Sequence, residues 1–503
     1  MRPLSAGRSA SADCTRANYR NCLASARCSG PTRFPSLAHG SPSSRRERNC
    51  RPFRGAPGTH PAWRTTALAD GARSRARRIA TMLARLFAWQ SVVQLVGLIG
   101  GFALLHWLDV EAYAQYALAF AFVTTLSLLV DLGFGHSVVG LVAERADDDA
   151  VVKQYIASAR GLRNRAMLVL IPVASVAFLL TTEGKEWSWG VRLGLLFSVA
   201  VTVVARSFQD FYGLRLILAQ DHAAYMRPQL VAGIVRLLSL AAARAAGVLT
   251  AVLASLLSVL LAALPTIQYR RRTGRIRARG APLHEREIVS YALPLAPMLL
   301  YTAAQSQLPI FVASWFASTR AIAEVGALSR LAQVYALVGI VNFMVIAPQA
   351  ARAARPRLML LLRLSIIGAC AFVALITLSA VAAPGLFVKL LGSEYGSVES
   401  MIAPYLLGTG LLFISGVVFA INSARGFTYW WLTGLLIFGV CGAQIVGALI
   451  LDLSSVLNIV LLLVISGVSQ LLVSLVGLWF GLTRGPRRTN NLSEMIVNST
   501  AES

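Results

Sequence analysis

Apolar runs of about 20 residues recur along the chain from residue 86 onward, separated by short polar breaks. A helix that rises about 1.5 Å per residue needs about 20 residues to cross the hydrocarbon core of a bilayer. Composition agrees with this pattern, since 56% of the 503 residues are hydrophobic and 14% are charged. A soluble domain has about 45–50% and about 25%. The sequence therefore predicts an all-α polytopic membrane protein.

Twelve transmembrane helices are predicted, in two sets of six. The spans are approximately 86–107, 114–142, 164–182, 188–208, 228–247, 249–268, 288–316, 322–347, 358–382, 402–422, 429–451 and 456–481. The predicted domains are an N-terminal lobe at 82–268, a basic cytoplasmic linker at 269–287, a C-terminal lobe at 288–481 and a cytoplasmic tail at 482–503. An even number of spans in each lobe gives both lobes the same orientation, which is a parallel repeat with a solute pathway expected between its two members.

Basic residues are distributed unevenly between the two sets of loops. One set contains most of the arginines, and the opposite set has only Lys185, Arg320 and Lys389. The basic segments are 143–163, 206–227, 269–287, 348–357, 423–428 and 482–503. By the positive-inside rule these segments face the cytoplasm, so we predict that both termini are cytoplasmic.

Residues 1–85 differ from the rest of the chain. They contain 17 Arg, no Lys and three acidic residues, and thus carry +14 of the net charge of +25. Because this stretch lacks apolar periodicity, we predict a disordered basic tail over residues 1–81. Met82 opens a short basic flank before the first span, which suggests that it is the true start. A transit peptide, or a segment that touches anionic lipid or RNA, are the alternatives. A mean hydropathy of +0.63 argues against a nucleic-acid partner for the whole protein.

The predicted external loops are too small for an extracellular enzyme. The longest, at 383–401, offers Lys389, Glu394 and Tyr395 but no His or Asp to complete a catalytic pair. The sequence contains no P-loop, HExxH, GxSxG or CxxC motif, and its six cysteines match no metal or haem spacing. We therefore expect translocation rather than catalysis, with neither a metal nor a cofactor.

Short motifs in both halves match a known pattern. Trp107-Leu-Asp-Val-Glu-Ala-Tyr-Ala-Gln-Tyr-Ala117 forms the turn after span one, and Asp131-Leu-Gly-Phe134 lies late in span two. Pro294 and Pro297 in span seven precede the turn Glu324-Val-Gly326. Together with span count and loop lengths, these motifs make residues 82 to about 481 resemble the polysaccharide-biosynthesis flippases. These are the O-antigen transporter type of the multidrug/oligosaccharidyl-lipid/polysaccharide (MOP) exporter superfamily.

The resemblance implies a fold, a substrate and partners. The fold is a MATE-like, V-shaped pair of six-helix lobes that open alternately to the two sides of the bacterial inner membrane. The substrate is a polyprenyl-diphosphate-linked oligosaccharide moved from the inner to the outer leaflet for surface polysaccharide synthesis, and the partners are glycosyltransferases and a glycan polymerase. The chain departs from the family pattern at Ala114, where the first motif usually has glycine.

Three of the arginines within the predicted spans are candidates for contact with the substrate. Arg236 and Arg244 are about 12 Å apart along span five and about 80° apart around it, so one surface could present both to a diphosphate or an acidic sugar. Arg330 lies at similar depth in span eight. Charges in a membrane helix are costly and usually face a cavity or a partner. The alternative is that these arginines pair with acids such as Glu324 or extend to the membrane surface.

Other polar residues are candidates for the substrate cavity or for ion coupling. Asp131 could bind a coupling proton or cation, or could instead pair with a nearby Arg or with backbone groups. Polar pairs four residues apart mark helix faces that would hydrogen-bond sugar hydroxyls or hold helices together. These pairs are Gln90 and Gln94, Tyr301 and Gln305, and Tyr405 and Thr409.

The sequence favours a lipid-linked oligosaccharide flippase that works by alternating access. The first alternative is a cation-coupled small-molecule exporter of the same superfamily, for which we would expect a buried, essential carboxylate. The second is a membrane glycan polymerase or ligase, which would need essential residues on external loops.

Overall fold

The computed structural model describes residues 88–142, 148–219, 221–274, 280–293, 296–342, 346–427 and 430–484, all within one compact unit at Leu68–Ser503. The predicted tail at 1–81 lies outside these residues, and so does the predicted tail at 482–503 except for residues 482–484. The first half of the bundle comprises α1 to α8. Their bounds are Ala88–Trp107, Val110–Asp131, Phe134–Val142, Asp149–Thr182, Trp189–Leu218, His222–Ala245, Ala251–Leu257 and Leu260–Thr273.

The second half comprises α9 to α19. Their bounds are Pro282–Ala292, Ala296–Ser306, Leu308–Phe316, Thr319–Val341, Ala347–Arg352, Arg355–Ala382, Pro384–Leu391, Glu399–Ala424, Trp430–Gly434, Val440–Ile450 and Val456–Arg484. A 3₁₀ segment at Ser393–Val398 precedes α16, and a π-helical segment at Leu435–Gly439 joins α17 to α18. The predicted external loop at 383–401 is thus occupied by α15 and the 3₁₀ segment.

Eleven helical segments in the described residues are long and apolar enough to cross a membrane. The count is twelve if the bent pair α9 and α10 forms one span. Helices α2 and α3 together form one candidate span, and α7 and α8 together form another. The prediction of about twelve spans is therefore confirmed, although several spans are interrupted.

Predicted span seven shows the largest interruption. It is divided into α9, α10 and α11, and α9 and α10 meet at an angle of 66°. Pro297 lies in the first turn of α10, whereas Pro294 is outside the described residues. Proline removes a backbone donor and disfavours helix in the residue before it, which accounts for a break in this sequence. Helix α9 begins inside the predicted linker at 269–287 and packs against α3 and α4 of the first half.

Polar residues set where several helices begin. Asp109, Ser188 and Ser318 are the N-caps of α2, α5 and α12, and each side chain accepts a hydrogen bond from a backbone N–H of the first turn. Such caps provide an acceptor for backbone N–H groups that have no partner inside the helix. A backbone N–H without an acceptor is unfavourable in an apolar environment.

Helices α2 and α12 lie at the centre of the bundle. In the most apolar 18 residues of the span formed by α2 and α3, 56% of the residues are buried. The corresponding values are 61% for α12 and 11% for α14. Helices α2 and α12 also contact each other across the two halves. A Cβ at Gly326 of α12 would lie 2.9 Å from the Cβ of Ala117 on α2, so glycine permits this close approach. The two halves therefore meet along α2 and α12.

The two ends of the bundle are recognised by their contacts. At one end, here called the Asp131 end, Asp131 pairs with Arg163 and the rings of Tyr225 and Tyr269 stack at 5.5 Å. At the other, the Trp187 end, Lys185 of the first half donates a hydrogen bond to the carbonyl of Ala317 in the second. A direct hydrogen bond thus joins the two halves at the Trp187 end.

Candidate functional site

A cavity of about 780 Å³ lies toward the Asp131 end of the bundle. Its walls come from the first half of the chain. The lining residues are Val93, Gln94, Gly97, Thr124, Ser127, Leu128, Asp131, Gly135, His136, Val139, Arg163, Arg206, Gln209, Asp210, Leu214, Ile217, Tyr225, Gln229, Gly233 and Leu261. Amide, hydroxyl, phenol and charged groups are all present. A polar cavity of this size inside a membrane bundle is suited to a hydrophilic solute.

A charged group of four side chains forms part of the wall. Asp131 makes an ion pair with Arg163, which is 4% exposed, and Arg206 and Asp210 border the same space. The two acidic and two basic side chains balance in formal charge. Asp131 was expected to bind an ion or to pair with a nearby arginine, and the structure places Arg163 against it.

The Asp-Leu-Gly-Phe motif positions Asp131. Helix α2 ends at Asp131, Leu132 and Gly133 both have positive φ, and α3 starts at Phe134. The N–H of Gly135 donates to Oδ1 of Asp131 over 3.2 Å. A Cβ at Gly133 would lie 2.8 Å from a methyl carbon of Leu299, so glycine is required here for its conformation and its small size. The motif is therefore a turn that holds a carboxylate at the cavity wall.

Arg236 and Arg330 lie beyond the cavity, toward the Trp187 end. Nη2 of Arg236 donates to the Tyr116 hydroxyl over 2.9 Å, and Nε of Arg330 donates to the Tyr113 hydroxyl over 3.2 Å. The Arg330 guanidinium also lies 4.9 Å from the ring centre of Phe120. Both arginines are less than 10% exposed, and neither makes an ion pair with a carboxylate among the described residues. Two buried cations thus have phenols as their main partners.

Two glycines of α1 make room for these cations. A Cβ at Gly100 would lie 3.5 Å from Nη1 of Arg236, and a Cβ at Gly101 would lie 3.1 Å from Cδ of Arg330. Gly97, one helical turn earlier, lines the cavity. The arginines are therefore about one turn beyond the cavity wall.

Arg244 is separated from this group. It is exposed in the last turn of α6, eight residues after Arg236, which is buried against Tyr116. The structure therefore does not bring Arg236 and Arg244 together on one cavity surface. The packing around each residue was not visible in the sequence. Of the predicted pair on α1, Gln94 lines the cavity and Gln90 is half-buried outside its lining.

Of the polar pairs in the second half, Tyr301 and Gln305 join helices. The Tyr301 hydroxyl donates to Oε1 of Gln470 over 3.2 Å, and the amides of Gln305 and Gln444 exchange hydrogen bonds of 2.8 Å. Thr409 donates to the backbone carbonyl of Tyr405 on its own helix. None of these residues lines the cavity. The contacts of Tyr301 and Gln305 correspond to the helix-joining alternative, whereas the bond of Thr409 stays within its own helix.

Three residues of the charged group were not predicted as site residues. Arg163 and Arg206 were counted with the basic segments, and Asp210 was not singled out. The spacing of Arg206 and Asp210 was an available signal, because residues four apart share a helix face. The partners Tyr113 and Tyr116 were seen only as parts of a turn motif. No group of three or more potential metal ligands occurs in the described part of the chain.

Comparison with known proteins adds a family and a fold. A family model described as polysaccharide biosynthesis protein matches residues 83–359. No curated protein matches the sequence. Among solved structures, the lipid II flippase MurJ in an inward closed conformation has a TM-score of 0.63 at 12% identity, over 78% of this chain and 87% of that one.

Two further structures support the same fold. An inward-facing multidrug resistance MATE family transporter of the MOP superfamily has a TM-score of 0.52 at 13% identity, over 79% of this chain and 94% of that one. A MOP superfamily transporter from Pyrococcus furiosus has a TM-score of 0.53 at 13% identity, over 81% and 95% of the two chains. The expected fold class, an all-α membrane protein with MATE-like lobes, is confirmed.

Proposed function

Because the chain belongs to the polysaccharide biosynthesis protein family, we propose that it moves a lipid-linked oligosaccharide from one leaflet of the membrane to the other. It acts as a transporter and not as an enzyme. The lipid II flippase MurJ has the same fold, which supports this class of substrate. The polar headgroup would occupy the cavity while the polyprenyl tail remains in lipid.

The observation that carries this proposal is the pair of buried arginines next to the cavity. Arg236 and Arg330 lack carboxylate partners among the described residues, so their charge is available to an anion. A diphosphate is such an anion, and the forked donors of arginine match its oxygens. We propose that the headgroup replaces the tyrosine hydroxyls as the partner of the two arginines when the halves separate. The headgroup would enter through the cavity, on the side lined by Gln94.

Orientation and location are part of the proposal. The Asp131 end carries the basic segments, and the positive-inside rule assigns them to the cytoplasm. The cavity then faces the leaflet in which the lipid-linked glycan is made, and the Trp187 end faces outward. We propose the bacterial inner membrane with both termini cytoplasmic, glycosyltransferases as the source of substrate and a polymerase as its consumer. The six-helix lobes divided by the linker at 269–287 would be the moving bodies.

The experiment that tests the proposal follows the side of the membrane on which the glycan accumulates. The gene is deleted, and polyprenyl-linked glycans in intact spheroplasts are probed with an external glycan-modifying enzyme. Complete units should become inaccessible, and the wild-type gene should restore access. Arg236→Ala with Arg330→Ala should reduce the restored access about tenfold or more, because each guanidinium contributes a charge-assisted contact. Arg244→Ala is the matched control, since Arg244 is exposed and apart from the cavity.

Two results would contradict the proposal. If complete units still reach the outer face without the gene, the chain is not the flippase. If they do so and only polymerisation fails, the polymerase or ligase alternative takes its place. Membrane abundance of each variant is measured in parallel, so that a loss of protein is not mistaken for a loss of transport.

A cation-coupled exporter of small molecules is the second candidate. It is favoured by the carboxylates of Asp131 and Asp210 at the cavity, since intramembrane acids commonly bind coupling ions. In that function Asp131 would release Arg163 when it binds a proton or cation. Efflux that depends on Asp131 but is unaffected by Arg236→Ala and Arg330→Ala would favour it.

A further inference from the structure

A second cavity, of about 500 Å³, lies at the Trp187 end between the two halves of the chain. It shares no lining residue with the larger cavity. The lining residues are Val110, Glu111, Gly184, Lys185, Glu186, Trp187, Ser318, Thr319 and Arg320. The first six belong to the first half and the last three to the second.

Charged side chains of both signs border this cavity in equal number. Glu111 accepts a hydrogen bond from Gln115, and Arg320 donates to Glu324, each on its own helix. Lys185 donates to the Ala317 carbonyl across the halves. Glu186 is exposed and makes no ion pair with any described residue. The wall therefore presents donors and acceptors without a net formal charge.

The starts of three helices add further donors. The first residues of α2 and α12 line the cavity, and Trp187 directly precedes the N-cap of α5. The first turn of a helix has backbone N–H groups without intrahelical partners. Several hydrogen-bond donors thus converge on one small space.

Trp187 gives independent evidence for a ligand. Its side chain is only 4% exposed, and its indole N–H has no acceptor among the described residues. An indole N–H can only donate, and a buried donor without an acceptor is unfavourable. Trp187 lines the cavity while its Nε1 has less than 1 Å² of exposed surface, so an acceptor bound in the cavity would satisfy this group once the atoms that cover the nitrogen move aside.

We propose that this cavity is a binding subsite for a neutral sugar unit. Sugar hydroxyls both donate and accept, which matches Glu111 and Glu186 on one side and Trp187 and Arg320 on the other. The balanced charges disfavour an anion, in contrast to the arginine pair at the larger cavity. The inference rests on the proposed function only for the identity of the sugar, which would be part of the transported glycan on the outer side.

The position of the subsite has a consequence for transport. Its wall comes from both halves, so a bound sugar favours the state in which the halves meet at the Trp187 end. Glycan that accumulates outside would therefore slow the opening of this end. The subsite would make transport sensitive to its own product.

The test measures direct binding to the purified full chain in lipid nanodiscs. Maltotriose, chitotriose and cellotriose are the neutral probes, and inorganic phosphate and glucuronate are the anionic ones. We expect at least one trisaccharide to bind saturably, and Trp187→Phe and Glu186→Gln each to weaken it about tenfold, the effect of one lost hydrogen bond to a buried or charged group. Glu183→Gln, on the same loop but outside the lining, is the matched control and should bind as wild type.

Three results would overturn the subsite. They are no binding of any trisaccharide, equal binding to wild type and to both variants, and stronger binding of phosphate or glucuronate at the same residues. The exposed position of Glu186 keeps the test valid if Trp187→Phe does not fold. The spheroplast experiment is independent of this one. Trisaccharide binding without any effect of gene deletion on glycan access would refute the proposed function and leave the subsite standing.

Discussion

Nε of Arg330 and the hydroxyl of Tyr113 form a 3.2 Å hydrogen bond that joins the second half of the chain to the first. The same hydroxyl donates to the carbonyl of Gly326, one turn before Arg330 on α12. Tyr113 therefore links two positions of one helix, and one of them is a buried cation. A contact of this kind holds the halves together without neutralising the charge.

Tyr113→Phe should loosen the Trp187 end. The variant keeps the ring but removes both hydrogen bonds, and a bond to a charged group contributes about 1.5–3 kcal/mol. The population with separated halves should therefore rise about tenfold or more. Double electron–electron resonance between labels at positions 183 and 394, in a background without native cysteines, would show it as a longer distance. Tyr301→Phe removes a hydroxyl bond within the second half and should leave this distance unchanged. Equal distances in wild type and Tyr113→Phe would contradict the role of Tyr113.

Asp131→Asn should destabilise the protein. Arg163 would remain buried without its acidic partner, and removing one member of a buried ion pair costs about 3–5 kcal/mol. Asp131 is partly exposed, so the lower part of this range is expected. The melting temperature in detergent measures the effect, and Asp131→Asn with Arg163→Gln should recover much of the loss. If the single variant melts as wild type and only transport fails, ion coupling explains Asp131 better than structural pairing.

Gly326→Val should disturb the contact between α2 and α12. Its side chain would press on Ala117 and Tyr113, and overpacking costs about 1–3 kcal/mol. Thermal unfolding should show a lower midpoint, and Ala117→Gly in the same chain should restore part of it. Gly339→Ala is the control on α12, because nothing lies within 4 Å of the added carbon. An unchanged midpoint for Gly326→Val would mean that the helices can separate without cost.

Lys185 should make stability depend on alkaline pH. Burial lowers the pKa of its ammonium below the usual value for lysine. The folded state thus binds a proton less tightly than the unfolded state, and the resulting penalty disappears as pH rises through the two pKa values. The stability of wild type relative to Lys185→Met should therefore increase between neutral pH and about pH 10. Melting temperatures of both proteins across this range provide the measurement, and a constant difference would contradict it.

The sequence predicted the number, order and approximate limits of the spans, because hydropathy over about 20 residues is a local property. It did not predict the break of α2 at Leu132, since that break depends on a left-handed turn packed against Leu299. The division of span seven was only suggested by its prolines. Local signals were sufficient for the approximate number of spans but not for these breaks.

The partners of the arginines were beyond the reach of the sequence. Tyr113 and Arg330 are 217 positions apart, so no local pattern joins them. Arg236 and Arg244 belong to the same predicted span, yet Arg236 is buried and Arg244 is exposed. The difference arises from which neighbouring helix covers each face, and that is decided by tertiary packing.

Gly100 and Gly101 carry no side chain, yet they lie directly beside the side chains of Arg236 and Arg330. Replacing both by alanine would leave the span of α1 intact. It would raise both the hydropathy and the helix propensity of this segment. The methyl group at position 101 would nevertheless lie 3.1 Å from Cδ of Arg330 and press on that side chain, whereas the one at position 100 would make an ordinary contact of 3.5 Å with Nη1 of Arg236. A position that contributes no polar atom beyond its backbone therefore helps to set where the charge of Arg330 lies.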